Sequence, residues 1–407
     1  MDLLSRRNFL ARSGLIGCSL AASPLFAPVS FAAAPWDTRL VVIILRGGFD
    51  GLDVVQPYGD PAYAKLRQKL KGGPENGGLD LDGYFSLHPA LAGLMPMWTA
   101  GELGFVHAVS TPYRDKRSHF DGQDILEAGT ESLSTGGVRD GWLNRMLQAV
   151  PGVQADTAYA IGRGDMALLK GAAPVANWSP EADLTMSPQA ERLMDLITQD
   201  DPAMHAALAE ARLLSSPDGG QMGEMADNGE DMMAQMQRAG RGKAHLKVAK
   251  FAAKRLRADA RVAAFSLNGW DTHQAQERNL SLALGRLAET LNHLRDTLRG
   301  NIWKKTAVVV MTEFGRTARE NGTGGTDHGT GGLMITAGGA IKGGKVHGNW
   351  PGLGTSDLYQ GRDLMPTGDV RAQAAWVMRG LVGLDTSVLE QSIFPGMEMG
   401  TDPGLLL

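Results

Sequence analysis

Four short stretches set carboxylates and imidazoles among glycines. "RGGFDGLD" (46–53) offers Asp50 and Asp53, and "NGWDTHQ" (268–274) offers Asp271 and His273. "EFGRT" (313–317) brings Glu313 and Arg316, and "GTGGTDHGTGG" (322–332) brings Asp327 and His328. Hard carboxylate oxygens mixed with imidazole nitrogens suit Zn²⁺, Mn²⁺ or a similar divalent ion. Flanking glycines let the backbone approach an ion or an oxyanion. Taken singly, each group has a structural explanation: Asp50 as a turn cap, Asp271 as a helix cap, "TDHG" as an Asx-turn. Taken together they describe a site for one or two divalent ions.

A fifth stretch, "RDKRSHFDGQDI" (114–125), places Arg114, Lys116 and Arg117 ahead of Ser118. Ser118 with Asp121 three residues on is a capping pattern that predicts a helix start. The same geometry puts a hydroxyl among unpaired amide donors in a positive dipole field, which favours an anion. The three basic residues add charge to that approach and are candidate contacts for an anionic substrate. His119 and Asp124 read as surface residues of the helix.

The elements that must position these groups are legible as short apolar runs. "LVVIIL" (40–45), "LGFVHAV" (103–109), "VAAFSL" (262–267), "TAVVVMT" (306–312) and "GLMITAG" (332–338) alternate with helical patterns. That alternation predicts an α/β fold with a mostly parallel central sheet and helices on both faces. Three of the four acidic stretches directly follow such a run, where open α/β sheets gather their ligands. Leucines at 280, 284, 287, 291, 294 and 298 mark one face of a long helix. His88 and His107 read as structural, and residues 215–242, with five methionines, as a flexible insertion or lid.

The chain has 407 residues and a formal net charge of −4. Its start, "SRRNFLARSG", is a twin-arginine leader running to Ala32, too interrupted by polar residues and Pro24 and Pro28 for a stable membrane span. Residues 33–407 then form one domain, exported by the twin-arginine machinery to the periplasm or beyond. The only cysteine is Cys18, in the leader; "LIGC" leaves lipidation there as an alternative. Loss of the leader removes Arg6, Arg7 and Arg12 against Asp2 and leaves a mature chain near −6, which speaks against nucleic acid as a partner.

On "LVVIILRGGFDGLDVVQPYGDPAY", "FSLHPALAGL", "RSHFDGQDILEAG", "NGWDTHQ" and "VVVMTEFGRTARENGTGGTDHGTGG", the chain resembles the domain of unknown function family numbered 1501. Members of that family look like remote relatives of the alkaline phosphatase and sulfatase superfamily. The resemblance implies an alkaline-phosphatase-like core and hydrolysis of a small phosphate or sulfate ester. It further implies Asp50 as the first metal ligand, Ser118 as nucleophile, Asp271 and His273 as the next ligand pair, and Glu313 and His328 completing the set, supported by Asp327. An alternative placement makes Asp327 and His328 the pair and His347 the last ligand. Two departures stand out: Asp271 and His273 are only one residue apart, and Phe314 stands where the superfamily carries a histidine or asparagine. With these departures a single-ion or degenerate site fits as well as a pair, and a non-catalytic binding or assembly protein is the alternative to a hydrolase.

Overall fold

The computed structural model describes residues 36–132, 140–162, 166–179, 197–198 and 243–407. The leader (1–32), Cys18 and the methionine-bearing segment 215–242 lie outside the described residues.

All five apolar runs form strands. In chain order the strands are β1 (Arg39–Arg46), β2 (Val55–Gln56), β3 (Leu79–Asp80), β4 (Ser86–Leu87), β5 (Leu103–Ser110) and β6 (Ala158–Ile161). They continue with β7 (Ala176–Trp178), β8 (Val262–Asn268), β9 (Thr306–Thr312), β10 (Gly332–Ala337), β11 (Val346–His347) and β12 (Gly368–Asp369). The main sheet runs β11-β5-β10-β9-β1-β8-β6-β7, with β12 also on β5. Only β10 pairs antiparallel there, against β5 and β9; the other pairings are parallel. A small antiparallel sheet, β2-β4-β3, sits apart from it.

The burial of β1 on both faces explains its unbroken apolar run. Val41, Ile43 and Leu45 enter one core with the helices α3 (Ala244–Arg257) and α4 (Gln276–Leu298). Leu40, Val42 and Ile44 enter the other, with α2 (Trp142–Ala149) and α5 (Val370–Val382). All six spaced leucines of α4 are buried against the first face. Truncating one of them, Leu291→Ala, should cost about 2–5 kcal/mol through lost burial and the cavity left behind.

This topology decides where the chemistry goes. Strands β1, β5, β8 and β9 run in one direction and therefore end at the same edge, while β10, running the other way, begins there. The segments after Arg46, Ser110, Asn268 and Thr312, and the one before Gly332, are thus brought to a common rim. At β1 the chain turns through Gly47 (φ +130°) and Gly48 (φ +67°). A Cβ at Gly47 would lie 2.5 Å from the Asp271 amide, and one at Gly48 2.6 Å from the Phe314 ring. Both positions need glycine, for the backbone angle and for the close approach of the neighbouring turns.

Candidate metal centre

The centre is built from three of these turns. After β8, Trp270 and Thr272 point inward, Trp270 held by its indole bond to Leu267 O (2.9 Å) and Thr272 by Gln276 (2.9 Å). Asp271 and His273 lie on either side of the buried Thr272 and are the more exposed residues of this tight turn, which accounts for their one-residue spacing. Helix α1 (His119–Ala128) starts at Ser118, whose Oγ accepts from the Asp121 amide (3.4 Å), and ends at Gly129 with φ +67°. His119, Gly122 and Gln123 share one side of α1. That side rests on β9's end: Gln123 Nε2 donates to Glu313 (3.1 Å), and a Cβ at Gly122 would lie a tight 3.1 Å from the Phe314 ring. The loop before β10 supplies His328.

His119, Asp271 and His328 each present a ligand atom, all within 4.8 Å of one another. His273 Nε2 joins them, 3.1 Å from Asp271 Oδ1 and 2.9 Å from His328 Nε2. His328 Nε2 lies 3.2 Å from the same Oδ1, and His119 Nε2 3.5 Å from Oδ2. Each imidazole has its other nitrogen on an oxygen: His119 Nδ1 on Glu313 Oε1 (2.8 Å), His273 Nδ1 on Asp327 Oδ1 (3.1 Å), His328 Nδ1 on the Arg117 carbonyl (2.9 Å). Those oxygens can only accept, so the network assigns each Nδ1 the proton and leaves each Nε2 a lone pair. This is the outer-sphere pattern of metal-bound histidines. It also crowds electron-rich atoms around Asp271, and the buried His119 Nε2 has no hydrogen-bond partner. The donor set of His119, Asp271 and His328 fits a divalent cation, with His273 beside it.

Electrostatics pull the groups in different directions. Burial works against ionised Asp271, yet Arg316, donating to Oδ1 at 2.5 Å, holds the carboxyl below its ordinary range. The hydrogen bond to Glu313 raises His119 above the usual imidazole value, and burial lowers His328 below it. Glu313 is fully buried, which opposes its charge, but bonds from His119, Gln123 and Gly47 N keep it ionised below the normal carboxylate range.

Several expected ligands stand elsewhere. Glu313 and Asp327 sit behind histidines as hydrogen-bond acceptors: Glu313 Oε2 also takes Thr312 Oγ1 (2.9 Å), and Asp327 Oδ1 takes Asn321 (3.1 Å). Asp50 is not in the cluster. Arg67 grips it with two bonds of 2.7 and 3.1 Å, and Gln276 (2.6 Å) and Thr326 (3.2 Å) share its Oδ2. Burial would raise the Asp50 carboxyl, but Arg67 keeps it below its usual value. Asp53 beside it, bonded to Gln276 (2.8 Å), is pushed up to about 6 by burial and by Asp50. His347 is in β11, a strand at one edge of the sheet.

Ser118 caps α1 through its Oγ; its amide donates to Tyr113 OH (2.7 Å), so no reciprocal bond comes back from Asp121. Arg114 is spent on the carbonyls of Thr111 and Tyr113. Lys116 is exposed and Arg117 half-buried. Sequence reasoning missed His119 as a member of the cluster; its one signal was its place immediately after a helix cap. Phe314 likewise has a use as a flat wall: it stacks on His119 (5.0 Å between centroids) and Tyr113 (6.3 Å) and touches His328 (4.9 Å).

The family model described as "Protein of unknown function (DUF1501)" matches residues 95–379, and the chain belongs to that family. No curated protein matches the sequence. Similar solved structures include the lipoteichoic acid synthase of Listeria monocytogenes, at 9% identity over 90% of this chain and 77% of that one, with a TM-score of 0.38. A Pseudoalteromonas sulfatase matches at 12% identity over 98% and 76%, TM-score 0.36. The alkaline phosphatase of the Antarctic bacterium TAB5 matches at 9% over 74% and 91%, TM-score 0.32. These likenesses are remote and assign no residue a role. Among the described residues no helix is long and apolar enough to cross a membrane.

Proposed function

We propose that this member of the DUF1501 family is a metal-dependent hydrolase of small anionic esters, phosphate or sulfate, exported on its "SRRNFL" leader. The observation that carries the reading is the convergence of three Nε2 atoms, each with its Nδ1 committed, on the single carboxylate of Asp271. His119, Asp271 and His328 would hold the ion, with His273 beside them. One ion rather than two is favoured, because Arg67 already neutralises Asp50. When bound, a divalent cation supplies a Lewis acid for an ester oxygen and lowers the pKa of a nearby hydroxyl or water.

The chain's own groups do the rest. Glu313 and Asp327 keep the Nδ1 protons in place. The free amides at the start of α1, with Arg117 and Lys116 nearby, favour an anion there, and Ser118 carries the hydroxyl proposed for attack. A cleft of about 330 Å³ beside α1, lined by Arg46, Phe120, Gln123, Asp124 and Ser266 and by none of the cation ligands, is proposed to take the remainder of an ester.

Protein purified without chelators should carry about one divalent ion per chain and turn over members of a phosphate- and sulfate-ester panel. Asp271→Asn should lower the ion content, and Ser118→Ala should abolish turnover while leaving the ion in place. A chain that takes up no ion sinks the proposal. The second reading, a binding or assembly protein that keeps an ion without turnover, is favoured by one observation: among the described residues Ser118 Oγ caps α1 and is bonded to none of the cation ligands. An ion bound without hydrolysis of any ester would select it.

A further inference from the structure

We infer that Arg117 is a positioning residue whose left-handed backbone fixes the tautomer of His328 and so turns that imidazole's Nε2 toward the cation site; this rests on the metal-binding reading above. Arg117 has φ +55°. That conformation is unfavourable for a residue with a Cβ, and an arginine side chain, unlike that of asparagine or aspartate, makes no local backbone bond that favours it. The side chain recovers little, since its guanidinium is half-exposed and 3.8 Å from Asp363. What the conformation achieves lies at the carbonyl, which accepts from His328 Nδ1 at 2.9 Å.

The surroundings hold that carbonyl in place from both sides. Asp115, also left-handed (φ +68°), accepts from Gln360 Nε2 (2.9 Å) and Tyr359 OH (3.3 Å). The next amide, Ser118 N, is taken by Tyr113 OH (2.7 Å). From the same 359–363 segment, Arg362 donates to the His328 carbonyl (3.0 Å). One loop thus fixes both the acceptor and the histidine that uses it. A residue 117 in the extended region would swing its carbonyl away from His328. The imidazole would then be free to carry its proton on Nε2, where no cation can be bound.

Substitutions at 117 separate backbone from side chain. Glycine adopts φ +55° without cost, alanine at some cost, and β-branched valine least readily. Two readouts apply: the ¹⁵N shifts of the His328 ring in metal-free protein, assigned by their loss in His328→Gln, and Zn²⁺ affinity by competition with a chelator. Arg117→Gly should match the parent in tautomer and stay within about 3-fold in affinity. Arg117→Val should shift His328 toward the Nε2–H form and lose about 10–100-fold in affinity, as outer-sphere changes do, with Arg117→Ala between. Should Arg117→Val not fold, judged by near-UV circular dichroism, the Ala and Gly variants decide by the same criteria. An unchanged tautomer and affinity in the Val and Ala variants would overturn the inference, as would a Gly variant as impaired as they are. Failure of the parent protein to bind Zn²⁺ or Mn²⁺ would overturn the metal reading, while the tautomer series would still judge the backbone.

Discussion

Two acidic clusters hang from adjacent strands, and they are opposites. The one after β1 is closed: both oxygens of Asp50 are taken by Arg67, Gln276 and Thr326, and every group involved is buried. The one after β8 is open: Asp271 is 47% exposed in its side chain and is faced by three imidazole Nε2 atoms whose Nδ1 partners are each committed to an oxygen. A guanidinium touches each cluster, but with different reach. Arg67 meets Asp50 through both terminal nitrogens, whereas Arg316 spends most of its donors on the carbonyls of Gly47, Gly48, Trp270 and Thr326 and takes only Oδ1 of Asp271. The lesson is that a carboxylate's availability depends on how completely its neighbours satisfy it, not on its position after a strand.

The largest effect should come from opening the closed cluster. Arg67→Met leaves Asp50 buried and unpaired, and should cost about 3–5 kcal/mol in urea unfolding without changing the ion content. A gain of one ion per chain in that variant would break the contrast, showing that Arg67 merely stands in for a cation. Next, Glu313→Gln keeps the shape behind His119 but removes its charge, so Zn²⁺ affinity should fall about 10–100-fold with the fold intact; unchanged affinity would remove Glu313 from any part in the site.

A last effect, small at any one pH step, concerns pH. With its carboxyl raised to about 6, Asp53 keeps a proton in the folded state that the unfolded chain has released above about pH 4. The folded state therefore binds more protons in that window, and this residue's contribution to stability falls as pH rises from about 4 to 6, then levels off. Against Asp53→Asn, urea unfolding should show that decline only in the parent, by an amount on the order of 1 kcal/mol per pH unit. Parallel profiles would mean that Asp53 ionises normally.

How much of this was legible in the sequence follows from the range of the forces involved. The five long strands and α4 were readable because apolar period is a local signal: Leu40 to Leu45 are apolar without a break, and the α4 leucines recur every three or four residues. The two-residue strands β11 and β12 carry no such signal; they exist because β5 offers them an edge. At the site, Asp271, His273 and His328 could be singled out because each follows a strand or sits among glycines. The partners of Asp50 and Glu313 could not. Arg67 lies 17 residues beyond Asp50, and His119 lies 194 before Glu313; nothing in local spacing announces either contact. Phe314 was misleading for a related reason: as a residue type it only lacks a donor atom, and its value as a stacking surface exists only once His119 and His328 flank it.

The ligand atoms of the open cluster come from segments far apart along the chain, with His328 57 residues beyond Asp271 and His119 earlier still. An ion held there would tie three loops together as a cross-link does, and its grip would exist only after those loops had closed. Occupancy would then report folding: a chelator should lower the melting temperature by mass action, and a chain that had failed to bring its distant thirds together would carry no ion at all.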